Sequence, residues 1–155
     1  RRCHYGLNMN IVYANRSTRA VAFPAKQYST ISAAVSVADV VVVAVPGGSD
    51  TYHLINKEVF ASMRANSIFI NISRGDVVNE TELIEALRNG VIGGAGLDVY
   101  EFEPNVPSEL LAMENVVLLP HLGTASLEVR TQMGFMALDN INSFITGVNP
   151  PNLIS

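Results

Sequence analysis

The stretch DVVVVAVP, Asp39 to Pro46, holds six consecutive apolar residues, five of them valine, between an aspartate and a proline. A short β-branched run that is apolar on both faces reads as a strand of a parallel sheet covered on both sides. It is far too short to cross a bilayer, which takes roughly 20 residues. Four more segments read the same way: Asn10 to Ala14 (NIVYA), Ser67 to Ile72 (SIFINI), Gly94 to Val99 (GAGLDV) and Val116 to Leu119 (VVLL). Helical patterns lie between them, over about Thr30 to Ala38, Asn56 to Arg64 and Asn79 to Asn89. In NETELIEALRNG, Asn79 is placed to cap the helix, Glu80 and Glu82 sit in its electropositive first turn, and Asn89-Gly90 stop it. Leu83, Ile84 and Leu87 form its apolar face. A last helix is expected over about Ser126 to Thr146, ended by GVNPPNLIS.

Strands alternating with helices predict an α/β fold with a mostly parallel, doubly wound sheet, in which ligands bind outside the carboxyl ends of the strands. Asn15-Arg16, Pro46, Ser73-Arg74, Glu101 to Glu103 and His121 all follow a strand closely, so the polar residues that interrupt this apolar chain are expected along one sheet edge.

Composition narrows the partners. The chain has 155 residues, 48% hydrophobic and 15% charged, enough for one globular domain with a sizeable core. A net charge of −4, with scattered Lys and Arg, argues against nucleic acid, and no apolar run argues for a membrane anchor. Small molecules or proteins are the expected partners. The single cysteine, Cys3, excludes an internal disulfide and any cysteine-rich metal site, so no metal is expected. It fits a reducing, cytoplasmic compartment and is expected to be a small buried hydrophobe.

One piece of a dinucleotide-binding fold is not found. Such folds open with a strand, a G-x-G-x-x-G turn and a helix whose N-terminus holds a pyrophosphate. Here Gly6 stands alone, Gly94-Ala95-Gly96 lies inside a strand, and RRCHYGLNM reads as the tail of a helix running into the strand at Asn10. In the usual strand order, the first strand lies between those read at Asn10 and Asp39. The expectation is therefore a partial dinucleotide-binding domain over residues 1–155 with a C-terminal helix. Without the first strand, both neighbours would keep unpaired backbone groups, so the isolated chain is expected to bind dinucleotide poorly and to aggregate.

The segment from Ile70 to Gly123, with SRGD, GLDVYEFEP and LLPHLG in that order, resembles the cofactor-binding domain of the D-2-hydroxyacid dehydrogenase family. Similarity extends upstream through ADVVVVAVPGGSDTYHLINKEVFASMR and downstream to the C-terminus, and within the family it points to glyoxylate, hydroxypyruvate and hydroxyphenylpyruvate reductases and to fungal dehydrogenases acting on bulky D-2-hydroxy acids. The resemblance implies a Rossmann-like NAD(P)-binding domain. It implies an oxidoreductase acting on a 2-keto or 2-hydroxy acid, and a homodimer in the full-length protein. The family's substrate domain and glycine-rich turn would both precede Arg1, which reads most simply as the C-terminal part of a longer protein or a truncated gene product.

The resemblance also assigns residues. Arg74 matches the family's arginine, whose planar fork suits a carboxylate or carbonyl oxygen. His121 matches its acid/base; an unperturbed imidazole pKa of about 6.5 lets it exchange a proton near neutrality. Glu103 matches the glutamate paired with that histidine, which would favour the imidazolium. Asp98 matches an aspartate at the nicotinamide end of the cofactor, although a strand-end Asp equally suits capping a turn. Val45, Pro46 and Thr51 match the lining of the adenosine and pyrophosphate side, and Ile72, Arg74, His121 and Gly123 are expected as further cofactor contacts. His4 and His53 read as ordinary surface or packing residues, and Glu101 and Glu109 as solvated loop charges.

Cofactor choice rests on VYANRSTR, Val12 to Arg19. Readers of NAD usually place a carboxylate after the second strand, where it bonds the ribose 2′-hydroxyl and repels a 2′-phosphate. Asn15 stands there instead, followed by Arg16, Ser17, Thr18 and Arg19, which suits NADP over NAD, the other reading being an exposed polar turn. Related corepressors that sense dinucleotides keep the same Arg, Glu and His, so a regulator is the alternative from a different class. An inactive remnant is a third. The NRSTR turn speaks for the reductase, because a sensor would be expected to read NAD(H).

Overall fold

In the computed structural model, which describes residues 1–154, the chain divides into two units, one of Arg1–Pro120 and one from His121 onward. The first unit carries six parallel strands: β1 (Ile11–Ala14), β2 (Ala25–Tyr28), β3 (Val40–Val43), β4 (Ile68–Asn71), β5 (Gly94–Leu97) and β6 (Val116–Leu118). Its helices are α1 (Ile31–Val35), α2 (Lys57–Ser62), α3 (Glu80–Arg88) and α4 (Ser108–Leu111). All five strands expected from the sequence are present. The sequence pattern missed β2, whose AKQY carries two polar residues in four, and the single turn of α4.

The helix boundaries follow local chemistry. Thr30, Asn56 and Asn79 each accept a backbone N–H of the helix that follows, satisfying donors that have no partner within the helix. α3 ends at Asn89, and Gly90 takes a left-handed conformation with φ +65°.

The strands form two sheets: β1 pairs only with β2, while β3, β4, β5 and β6 form one parallel sheet in that order. β1 and β3 thus each keep an unpaired edge. A cleft of about 410 Å³ is lined by Val12 to Arg16 on one side and by Val40 to Pro46 on the other. A strand inserted there would join the two sheets into one, which is the place expected for the first strand of a dinucleotide-binding fold.

Side chains alternate across the four-stranded sheet. Val43, Phe69, Asn71, Ala95 and Leu97 are buried on the face that also takes Val35 of α1, Val59 and Phe60 of α2, and Leu83, Ile84 and Leu87 of α3. The intervening residues differ from expectation. Val42 is 53% exposed and Val117 65%, so the second face, apolar in sequence, is left open. Helices α1, α2 and α3 cover one face only.

Cys3 is also a correction, because its thiol is exposed rather than buried. The N-terminal turn, Arg2–Gly6, buries none of its residues. His4 packs as expected, its ring stacked on Phe23 and its Nδ1 3.0 Å from the Met9 carbonyl.

The second unit is built on α5 (Leu127–Ile145), capped by the Ser126 hydroxyl and ended at Thr146 with Gly147 at φ +75°. None of its residues is buried. The tail folds back along it, with Asn152 N–H donating to Asn140 Oδ1 at 3.0 Å.

The core hinges on Phe69 at the centre of β4, fully buried and edge-on to Phe60 with ring centroids 5.3 Å apart. Phe69→Ala is expected to cost about 3–5 kcal/mol, a large share of a domain's roughly 5–15 kcal/mol. Urea denaturation followed by circular dichroism measures it, and a loss below about 1 kcal/mol would contradict this placement.

Candidate active site

Parallel register brings the strand ends together at one edge. Val43, Asn71 and Leu97 are successive partners across β3, β4 and β5, and Leu97 pairs with Leu118 of β6. The backbone continues this register for one more residue: Ile72 N–H donates to Val43 O at 3.3 Å, Asp98 N–H to Asn71 O at 3.1 Å, and Leu119 N–H to Leu97 O at 2.9 Å. The loops that begin at Ala44, Ile72, Asp98 and Leu119 are therefore neighbours.

Arg74 lies in the second of these loops and is exposed. Buried Asn71 shapes the turn beneath it, its Oδ1 accepting from Ser73 N–H and Oγ–H and its Nδ2 donating to Arg74 O at 3.0 Å. One guanidinium nitrogen, Nη1, donates to Ser73 O at 2.7 Å. The aliphatic stem lies over Gly47, where a Cβ would come within 2.9 Å of Arg74 Cγ. Only a glycine leaves room for that crossing. Gly75 is tighter still, since a Cβ there would meet the Tyr100 carbonyl oxygen at 1.8 Å.

The loop after β5 carries Asp98, Tyr100, Glu101 and Glu103. Glu103 Oε1 accepts from Tyr100 N–H at 3.1 Å, and the Tyr100 hydroxyl donates to Leu119 O at 2.9 Å, tying this loop to the end of β6. Burial raises the Tyr100 phenol above its usual value, with the Asp98 carboxylate adding to the effect.

Glu101 was expected in solvent, and the structure corrects this. Its side chain is only 8% exposed; Oε1 lies 2.7 Å from His53 Nε2, and Oε2 accepts the Glu80 N–H at 3.1 Å. A carboxylate that is withdrawn from water needs such partners. His53 is correspondingly more than a surface residue, sitting at φ +49° with its ring stacked 3.9 Å from Tyr52. No spacing signal in the sequence joins residues 53, 80 and 101, and only the fold brings them together. Glu109 is exposed, as expected.

The expected cofactor residues fall into groups. Asn15, Arg16, Val45, Pro46 and Thr51 line the cleft between β1 and β3, whereas Ser17, Arg19, Ile72, Arg74 and Asp98 do not. Ile72 is 57% exposed at the strand-end edge. The 15–19 turn is fastened to β2, with Gln27 Nε2 donating to Asn15 O at 3.2 Å and Thr18 Oγ donating to Gln27 Oε1 at 2.9 Å. Thr51 closes its own loop by donating to Pro46 O at 2.7 Å. His121 and Gly123 open the second unit, His121 at φ +54°, a conformation uncommon outside glycine.

A family profile described as "D-isomer specific 2-hydroxyacid dehydrogenase, NAD binding domain" matches residues 1–123. The chain belongs to this family. It is 43% identical over 158 aligned residues to glyoxylate/hydroxypyruvate reductase B of Enterobacter sp. strain 638, covering 99% of this chain and 48% of that protein. Among solved structures it resembles the NADPH-dependent glyoxylate/hydroxypyruvate reductase of Sinorhizobium meliloti in complex with NADP and malonate. That match has a TM-score of 0.89 and 36% identity over 93% of this chain and 45% of that one. The holo D-mandelate dehydrogenase of Rhodotorula graminis gives a TM-score of 0.92 at 32% identity, over 99% of this chain and 47% of that one. The chain spans about half the length of the curated relatives it matches.

Membership confirms the Rossmann-like architecture expected from the sequence and the NAD-binding character of the domain. Among the described residues no helix is long and apolar enough to cross a membrane, and no group of three or more His, Cys, Asp or Glu is placed to hold a metal ion.

Glu80 offers a titration test of the loop packing. Burial raises its carboxyl above the ordinary 4.5, and the neighbouring Glu101 adds to the rise. A carboxyl whose folded pKa is raised stabilises the fold while protonated, and that contribution is lost as pH climbs from 4.5 through the folded value. Glu80→Gln, which cannot ionise, is expected to gain stability relative to the parent as pH rises above 4.5. Urea midpoints at acid and neutral pH check this; a parallel pH dependence of the two proteins would refute it.

Proposed function

We propose that this chain supplies the cofactor-binding half of a reductase that converts a 2-keto acid to the D-2-hydroxy acid with NADPH. The observation that carries the reading is Arg74: an exposed guanidinium whose turn is fixed by buried Asn71, at the sheet edge where the loops holding Asp98 and Glu103 also emerge. A cation held this way at the carboxyl ends of parallel strands is suited to orient an anionic substrate. The names of the relatives, glyoxylate and hydroxypyruvate reductases and a mandelate dehydrogenase, support the substrate class.

In this reading the Arg74 guanidinium holds the substrate carboxylate and the developing oxyanion. His121 delivers a proton to the carbonyl oxygen, and Glu103 is the carboxylate that the family resemblance pairs with it. NADPH, when bound, supplies the hydride that C2 accepts. The hydride, which brings two electrons with its hydrogen nucleus, and the one proton from His121 together balance the reduction of a ketone to an alcohol.

Asn15 and Arg16 follow the carboxyl end of β1, and Val45, Pro46 and Thr51 follow that of β3, which supports placing the adenosine side of the dinucleotide there; Arg16 is exposed. Arg16 contacts Asp50 at 3.7 Å with both side chains more than four-fifths exposed, a pairing worth about 0–1 kcal/mol and readily given up for a phosphate.

The test is NADPH oxidation with glyoxylate, hydroxypyruvate and phenylpyruvate, on the 155-residue chain and on the product of the gene's complete reading frame. Turnover by the complete product is expected. Absence of turnover with every keto acid, alongside tight NADH binding, would favour a dinucleotide sensor. In an active protein, Arg74→Lys is expected to lower kcat/KM about 10- to 100-fold, and His121→Asn to lower kcat about 10²- to 10⁴-fold. Arg16→Ala is expected to weaken NADPH about tenfold while leaving NADH unchanged.

A further inference from the structure

We propose that His53 is a positioning residue for Arg74, acting through Glu101 to hold the arginine's turn against the loop that carries Glu103. The inference rests on the reading of Arg74 as the substrate-binding cation.

The turn from Ser73 to Val78 is gripped on two sides. On one side lies the backbone of 53–55: His53 N–H donates to Asp76 O at 2.8 Å, Ile55 N–H to Val77 O at 3.0 Å, and Asn79 N–H to Ile55 O at 2.9 Å. On the other lies the loop after β5, which passes so close that Gly75 has no room for a Cβ beside the Tyr100 carbonyl. Two glutamates strap this second side. Glu101 Oε2 accepts Glu80 N–H at 3.1 Å, and Glu80 Oε2 accepts Glu101 N–H at 3.3 Å, a reciprocal exchange joining the start of α3 to the post-β5 loop.

The His53 side chain closes the ring. It is the bond from its Nε2 to the other Glu101 oxygen, at 2.7 Å, that links the 53–55 backbone to the glutamate strap, with the Arg74 turn between them. Removing it leaves a carboxylate oxygen of a side chain only 8% exposed without its imidazole partner, beside a second buried carboxylate, Glu80. Two carboxylates so placed repel one another unless a donor compensates. The loop after β5 then has reason to move outward, and the Gly75 contact with Tyr100 loosens with it. Stacking on Tyr52 at an interplanar angle of 17° fixes the ring that makes the bond.

The experiment compares the parent with His53→Leu, which removes the donor, and His53→Gln, which keeps an N–H without a charge, using the product of the complete reading frame. Amide hydrogen exchange is read in segments 74–79 and 99–103, with 68–71 and 94–97 as core references, and steady-state kinetics with a keto acid run in parallel. His53→Leu is expected to speed exchange about tenfold in the two loop segments and not in the core strands, with partial rescue in His53→Gln. The keto-acid KM is expected to rise about tenfold with a smaller change in kcat and unchanged NADPH affinity, because the arginine is displaced rather than lost.

Unaltered loop exchange in His53→Leu would overturn the proposal, and so would faster exchange spread equally over loops and core. A lowered kcat at unchanged KM would overturn it too. If His53→Leu does not fold, as seen by circular dichroism, Glu101→Gln takes its place with the same expected pattern of exchange. A parent protein with no keto-acid turnover would remove the proposed function, while local loss of protection in the loops would still stand as evidence for the clamp.

Discussion

The register of the parallel ladders is the constraint on which the rest of the structure depends. Because β3, β4, β5 and β6 run in one direction with Val43, Asn71, Leu97 and Leu118 aligned, each strand delivers its next residues to the same edge. A shift of one residue would turn Phe69 out of the core and move buried Asn71 away from the turn it shapes. Core and candidate site are thus specified by the same hydrogen bonds. The buried side of each strand anchors it against α1, α2 and α3, and the loop that follows emerges at a fixed position.

The sheet is interrupted where that logic would carry it further. β1 and β3 each present unpaired backbone groups to a cleft, and the face holding Val42 and Val117 is open. Unpaired edges and exposed apolar faces are costly in water and invite association. Asn15, Arg16, Val45, Pro46 and Thr51, expected as cofactor contacts, are among the residues that line this cleft. The curated relatives are about twice as long as this chain.

At the opposite extreme, the loops at the carboxyl edge are densely fastened. Asn71, Glu80, Glu101 and Tyr100 are polar groups withdrawn from water; Asn71 bonds within its own turn, and the other three bond across to a neighbouring segment. A cation that must present a substrate in one orientation benefits from such a rigid mounting, since a displacement of about 1 Å can cost a large factor in rate. Close approaches at Gly47 and Gly75 serve the same end by letting backbone and arginine stem pack without a side chain between them.

Five of the strands, the helix cap at Asn79, the approximate helix starts at Thr30 and Asn56, and the family were legible in the sequence. β-branched runs and capping residues are local signals, and SRGD, GLDVYEFEP and LLPHLG are continuous motifs. β2 was not legible, because its four residues owe their conformation to pairing with β1 rather than to their own pattern. Nor was the environment of Glu101. A glutamate in a polar loop looks solvated until the fold sets it beside His53, 48 residues away, and at the start of α3. Local propensity and motif identity belong to the sequence; burial, and the partners that burial demands, come only from distant segments meeting in space.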